Sequence, residues 1–345
     1  MTGLIRMIVR EVRLPLRHAF TTAHGTTHEQ QSIIVELTDG ELSGFGEAVC
    51  IPHEGWLAPG IRTALESARA MIEGTDLTDP AEYWESCAAA LGSNRVALSA
   101  VDQAAHDLWG KRQGQAVWRL WDLNVGRLPS SSYSIGIDET DRMVAKMLEF
   151  VDWPIFKVKL GTDRDMDIVR SLRLHTTATL RADANCAWTI TEALAHMPVL
   201  EELGVEFLEQ PLPRHAHRDQ LRLRKESGIP LMADESCLVE DDVDACAEGF
   251  DAINIKLAKC GGLTPARRMI EQARRSGLRV MVGCMTETTV GISAIAQLLP
   301  LVDFADIDGA VLVARDVATG VRLDRGAPVL PDAAGTGVTW IGEPK

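Results

Sequence analysis

No two cysteines in this chain stand in a CxxC spacing, and the seven it contains are an odd number. That excludes a simple disulfide framework and fits a reducing compartment, so a cytoplasmic protein is expected. Positive charge is also in short supply. Lys and Arg number 35 against 49 Asp and Glu, for a formal net charge of -14. Nucleic acid and anionic membrane surfaces both call for a basic face, so neither is an expected partner. Long apolar runs are missing too. The longest uncharged stretch, Thr288 to Val302, is interrupted by Gly291 and Pro300 and is too short to span a bilayer. Near the N-terminus, Arg6, Arg10, Glu11 and Arg13 break what would have to be the apolar core of a secretion signal.

What is present is enough for a sizeable globular core, with 46% hydrophobic and 24% charged residues over 345 positions. The first 125 or so residues have a texture of their own. Ile8 to Pro15, Ser32 to Leu37 and Gly44 to Val49 read as a meander of strands, with Asp39-Gly40 at a turn. Helical periodicity follows over Arg62 to Glu73, Pro80 to Leu91 and Asn94 to Lys111, giving an α+β domain. From Ser131 the pattern becomes strict strand-then-helix alternation. Strands are expected at 131–137, 155–160, 179–184, 205–209, 230–234, 252–257, 279–283 and 304–308. Eight such units in about 180 residues suit a closed parallel α/β barrel better than an open sheet. In the helix after the sixth strand, Thr264 reads as N-cap, Pro265 as first helical residue and Gly277 as the terminator. The expected division is 1–125, 126–322, and a Pro- and Gly-rich segment 323–345 that returns to the first domain.

Three acids close successive apolar runs of the barrel region. Asp183, Glu209 and Asp234 are 26 and 25 residues apart, about one strand-helix unit, so a barrel brings them to one rim. Strand phase adds lysines to the same place. In Phe156-Lys157-Val158-Lys159-Leu160 the apolar residues must face the helices, which turns both lysines inward. The same phase in Ile253-Asn254-Ile255-Lys256-Leu257 turns Lys256 inward beside Asn254. A buried lysine needs anionic company or must shed its proton, and three crowded carboxylates need a cation. Oxygen ligands without nearby His or Cys point to Mg²⁺, and lysines beside it to proton transfer.

Taken in order, Lys157-Val158-Lys159, Asp183-Ala184-Asn185, Glu209-Gln210-Pro211, Ala233-Asp234-Glu235-Ser236, Asn254-Ile255-Lys256-Leu257 and Lys259-Cys260-Gly261-Gly262 make a specific signature. On it the chain resembles the enolase superfamily, in the muconate-lactonizing-enzyme subgroup, across essentially its whole length. The resemblance implies a (β/α)7β modified TIM barrel under an N-terminal α+β capping domain. It implies one Mg²⁺ per subunit on Asp183, Glu209 and Asp234, with Lys159 and Lys256 as acid/base catalysts on opposite faces of a small-molecule substrate. Lys157 would contact the substrate carboxylate and depress the pKa of Lys159. A homo-oligomer is expected. The chemistry is removal of a proton α to a carboxylate through an enediolate, with return of a proton to the opposite face.

Within the subgroup, Asp306-Ile307-Asp308 on the eighth strand is similar to the Asp-x-Asp motif by which dipeptide epimerases hold an α-ammonium. Epimerisation of a dipeptide at its C-terminal residue is therefore expected. An o-succinylbenzoate synthase, an N-acylamino-acid racemase or a muconate-type cycloisomerase is the alternative, with little use for Asp306 and Asp308. Further candidate substrate contacts are Ser134, inward on the first barrel strand, and Cys284 and Thr286 at the end of the seventh. In the Ala-Glu-specific branch a basic residue follows the first strand. Thr21 falls about there, with His24 the closest basic residue. Glu54 would favour a cationic side chain, Ile51 and Trp56 an apolar one. His215 and His217 are expected at the surface, and the cysteines as packing residues.

Overall fold

Residues 4–342 are described by the structure, a computed structural model. Its N-terminal part is an antiparallel meander of β1 (Arg6–Thr22), β2 (Gly25–Thr38) and β3 (Ser43–Val49). Ile33, Val35 and Leu37 alternate along β2 and bury one face of that sheet beneath helices α1 (Ala58–Gly74), α2 (Pro80–Leu91) and α3 (Arg95–Gln113). Gly44 and Gly46 make this contact close. A Cβ at either would collide with backbone of α3 at Ala104 or Ala100. The hairpin β1–β2 runs further than the sequence suggests. Pairing shifts register between Pro15 and Phe20 and then resumes to a turn between Thr22 and Gly25. That extension carries Phe20 to Thr27 to the wall of a cavity shared with the second domain.

The short helix α4 (Val117–Leu120) leads into eight parallel strands. They are β4 (Tyr133–Ile135), β5 (Ile155–Lys159), β6 (Thr179–Asp183), β7 (Val205–Glu209), β8 (Leu231–Ala233), β9 (Ala252–Ile255), β10 (Arg279–Gly283) and β11 (Phe304–Asp306), adjacent in chain order. A parallel bridge between Ser131 and Ala305 joins the first strand's approach to the last strand, so the sheet closes. Around it lie α5 (Thr140–Leu148), α6 (Asp165–His175), α7 (Ile190–Glu202), α8 (His217–Glu226), α9 (Val243–Gly249), the single turn α10 (Leu257–Cys260), α11 (Leu263–Arg275) and α12 (Thr289–Ile295). Only the four-residue α13 (Gly309–Leu312) follows β11, which gives the (β/α)7β pattern. Phe156, Val158 and Leu160 lie in the core between strands and helices, as their phase requires. Phe207, Met232, Ala252, Met281 and Phe304 fill the barrel interior, with the Arg181 guanidinium between the rings of Phe207 and Phe304. Among the described residues no helix is long and apolar enough to cross a membrane.

One expectation needs adjustment. Thr264 is not the N-cap of α11. Gly262 holds that position at φ 124°, and the helix begins at Leu263. The acceptor comes from the other domain, because Asp102 of α3 takes the Thr264 N–H at 2.9 Å and its hydroxyl at 2.9 Å. A Cβ at Gly262 would run into that carboxylate. Near the end of the chain, Val317, Ala318 and Val338 pack with Val12, Leu14, Ile34 and Phe45 of the meander. The last three residues of the expected returning segment lie outside the described residues.

Candidate active site

Register builds the rim. In the parallel ladders Lys159 pairs with Asp183 and Asp183 with Glu209, so residues from β5, β6 and β7 stand in one row. Asp234 follows β8, and Lys256 follows β9 as the N-cap of α10. The turns just past these strands are strained. Asn185, Cys186 and Gln210 all have positive φ, at 42°, 66° and 35°, a cost that clusters at functional rims. Gln210 ties the turns together. Its Oε1 accepts the N–H groups of Asp234 and Ser236 at 3.1 and 3.0 Å.

Ion pairs organise the charges. The Lys157 ammonium, fully buried, lies 3.0 Å from Asp183, 2.7 Å from Glu209 and 2.8 Å from Asp306. Lys159 donates to Asp183 at 2.6 Å, and Asp234 receives Lys256 at 3.0 Å and Lys259 at 2.6 Å. Burial pushes Asp183 upward, but Lys157 and Lys159 outweigh it and hold the carboxyl well below its usual range. Asp234 is lowered in the same way by Lys256 and Lys259. Glu209 goes the other way, to about 7, because burial and the neighbouring acids exceed the help of Lys157. Burial disfavours the Lys256 ammonium, yet Asp234 wins and raises it above the ordinary lysine value.

The Lys157 side chain is fully buried beneath the rim and is not among the residues that line the cavity. Three carboxylates hold it there as a fixed positive charge.

The cavity, about 310 Å³, lies between the barrel rim and the capping domain. Lys159, Asp234, Lys256, Asp306, Asp308, Ser134, Cys284 and Thr286 line it from below, His24 and Glu54 from above. Thr21 does not. Its hydroxyl pairs with Thr26 at 2.9 Å, and the alternation of β1 presents Phe20 and Thr22 instead. Ile51 lines the cavity, while Trp56 faces a neighbouring one. Asp306 is anchored by Lys157 and by the Ser132 hydroxyl at 2.6 Å, and stays below its ordinary value because Lys157 outweighs burial. Asp308 takes the Ser134 N–H at 2.6 Å, and burial, with Asp306 beside it, pushes its carboxyl up to about 7. Ser134 is thus first a partner of Asp308.

Sequence reasoning gave no role to Lys259, although it stands three residues beyond Lys256. One turn of α10 brings both ammonium groups to Asp234. Glu235, half-buried, and His53, whose ring stacks on His24 at 4.7 Å, also line the cavity and had no role assigned from the sequence. His215 and His217 are exposed, and every cysteine is free. Burial raises the thiols of Cys186 and Cys284, so neither is an activated nucleophile.

Oxygen atoms at the rim are under-satisfied. Asn185 Oδ1, Glu235 Oε2 and Asn254 Oδ1 are buried without a hydrogen-bond partner, and Glu209 Oε2 has its ion pair with Lys157 but no aligned hydrogen bond. A hard, all-oxygen donor set with unmet acceptors fits Mg²⁺. In the described residues the carboxylates are bridged by ammonium groups and not gathered round an open centre.

Comparison with known proteins agrees with this geometry. Residues 4–121 match the mandelate racemase / muconate lactonizing enzyme N-terminal domain, and residues 139–343 match the enolase C-terminal domain-like family. An L-Ala-D/L-amino acid epimerase of Flavobacterium johnsoniae is 46% identical over 337 residues, covering 98% of this chain and all of that protein. One of a Maribacter species is 47% identical, covering 97% and 99%. Among solved structures, a dipeptide epimerase from Enterococcus faecalis complexed with Mg and L-Leu-L-Tyr superposes with a TM-score of 0.92 at 30% identity, covering 97% of this chain and 99% of that one.

Proposed function

The chain belongs to the mandelate racemase and muconate lactonizing enzyme family of the enolase superfamily, and we propose that it epimerises dipeptides at the α-carbon of their C-terminal residue. The observation that carries this reading is the Asp306–Asp308 pair on the wall of a lysine-lined cavity. A substrate with a free α-ammonium offers those acids a cation, and charge-assisted hydrogen bonds are the strong ones. An N-acylated amino acid or a cyclic diene acid brings no cation to this pair, and Asp308, which has no lysine of its own, keeps only its hydrogen bonds to Ser134. That penalty disfavours the synthase, racemase and cycloisomerase alternatives. The relatives named as epimerases of dipeptides support the same choice.

Lys159 and Lys256 would move the proton. They come from the second and sixth of eight strands and so face each other across the barrel mouth. With the α-carbon between them, one lysine accepts the α-proton as a neutral amine and the other, as ammonium, delivers a proton to the opposite face. The roles exchange for the other isomer. Electrons left on the α-carbon spread into the adjacent carboxylate as an enediolate, and its added negative charge must be met by cations. Lys157 and Lys259 supply fixed positive charge at Asp183, Glu209 and Asp234. Asp183, Glu209 and Asp234 would hold Mg²⁺, whose charge would stabilise that anion and offset the carboxylates that otherwise keep the lysines protonated.

The test is deuterium uptake. A panel of L,L-dipeptides in D₂O, followed by proton NMR, should lose the α-proton signal of the C-terminal residue only. No uptake with any dipeptide, or equal uptake with the N-acetyl amino acids, rejects the proposal.

A further inference from the structure

Two buried carboxyl groups that the proton transfer does not use face each other where the capping domain meets the barrel. Glu47 lies on β3 and is 1% exposed, while Glu287 lies between β10 and α12 and is 4% exposed. Each is held from its own side. The backbone of Glu47 is clamped to α3, its N–H donating to Gln103 Oε1 at 3.0 Å and its carbonyl accepting from Gln103 Nε2 at 3.1 Å. Its carboxylate crosses to the barrel, where it accepts the Thr288 hydroxyl at 2.5 Å and the N–H groups of Thr288 at 3.0 Å and Gly291 at 3.2 Å. Glu287 folds back to accept the Met285 N–H at 2.8 Å. The outer oxygens of both acids converge on Gly291, where an added Cβ would clash with Glu287 Oε2 and press on Glu47 Oε2.

The segment between them reaches the substrate cavity. Cys284, Met285 and Thr286 all line it, and Met285 also packs against the capping-domain core. Glu287 therefore fixes a wall of the cavity through the Met285 amide, and Glu47 fixes the domain that roofs it.

We propose that Glu47 and Glu287 form a proton-sharing latch that seats the capping domain on the barrel and sets the position of the Cys284–Thr286 wall. Glu287 is a positioning residue, since nothing places it against the reacting carbon. Two facing carboxylates in a dry interface repel unless one carries a proton. The donors fall unevenly, three to Glu47 from the Thr288 N–H, the Thr288 hydroxyl and the Gly291 N–H against one to Glu287, so Glu287 is the protonated partner. In agreement, burial and then Glu47 raise Glu287 to about 8. The other titratable groups facing the pair are Lys256 from the end of β9, Asp316 beyond α13, Cys284 after β10 and Cys50 after β3. Asp316 is itself engaged by the Thr289 N–H and hydroxyl.

An acid whose folded-state value is raised holds its proton in the folded protein and strains the fold once the proton is lost. That stabilisation is therefore complete below about pH 4.5, where folded and unfolded forms are both protonated, and is lost progressively up to about pH 8, while the folded latch itself gives up its proton as pH passes 8. Glu287→Gln keeps the shape and an acceptor for Met285 but has no proton to lose. The lysine titrations are common to both proteins, so the ratio of kcat/KM, variant over wild type, isolates the latch. It should rise about tenfold between pH 6.5 and 9.5, mostly through KM. A ratio flat with pH overturns the proposal. If the variant does not fold, amide hydrogen exchange of residues 285–291 in the wild-type protein decides. Protection, corrected for intrinsic rates, should fall about tenfold over the same range; constant protection overturns the proposal. This second measurement uses no substrate, so its failure is distinguishable from failure of the epimerase reading.

Discussion

Asp308 offers the sharpest link between the geometry and the choice of substrate. It is 2% exposed and held by the Ser134 N–H at 2.6 Å. Burial first, and the charge of Asp306 second, raise its carboxyl to about 7. A substrate ammonium needs the ionised form, so KM for a dipeptide should fall as pH rises from about 6 to about 8, where the α-amine begins to lose its own proton. Asp308→Asn keeps an acceptor for Ser134 and removes the charge. A hydrogen bond to a charged group contributes about 1.5–3 kcal/mol, so kcat/KM at pH 8 should drop about 10- to 150-fold. At pH 6 the wild-type acid is mostly protonated and the gap should narrow. The same change should be neutral or favourable for an N-acetyl amino acid, which has no ammonium. Thermal stability supplies a second reading. The raised value means that the ionised acid costs stability above about pH 7, so Asp308→Asn should melt higher than wild type at pH 8. Initial rates on L-Ala-L-X dipeptides and their N-acetyl counterparts, with melting curves at pH 6 and 8, measure all of this. A loss equal at both pH values and on both substrate types would refute the ammonium role.

Asp102→Ala removes the acceptor that caps α11 across the domain boundary and orphans the Thr264 hydroxyl and amide. It should cost about 2–4 kcal/mol by urea unfolding, and a loss below about 0.5 kcal/mol would contradict the clamp. Chelation with EDTA should abolish exchange, and Mg²⁺ should restore it while raising the melting temperature. Lys157→Met leaves Asp183, Glu209 and Asp306 without their shared cation. The variant should be destabilised by about 3–5 kcal/mol without Mg²⁺ and regain part of that on adding it. Equal destabilisation with and without the metal would separate Lys157 from the carboxylate rim.

Strand phase made most of the site legible. A period of two in Phe156 to Leu160 places three side chains among the helices and two inside, and nothing in the tertiary structure competes with that preference. Rim positions of Asp183, Glu209 and Asp234 follow from the same register, because parallel ladders transmit it from strand to strand. Loops were harder. Thr21 stands between the positions that reach the cavity, because alternation along β1 turns Phe20 and Thr22 to that wall and Thr21 away from it. Thr264 has the residue type of an N-cap, but its acceptor is an aspartate 162 positions away. Lys157 faces inward as its phase requires, and carboxylates from three other strands enclose it there. Lys259 has no role in the sequence reading, because only the single turn of helix after β9 brings its ammonium to Asp234.

The two-base transfer is tested most directly by stereospecific exchange in single-lysine variants. Lys159→Ala and Lys256→Ala would each be given the L,L and L,D forms of one dipeptide in D₂O, with α-proton loss followed by NMR. Each variant should exchange one stereoisomer and not the other, with opposite preferences, and neither should interconvert them. Loss of exchange from both isomers in both folded variants, or continued epimerisation by either, would contradict the mechanism.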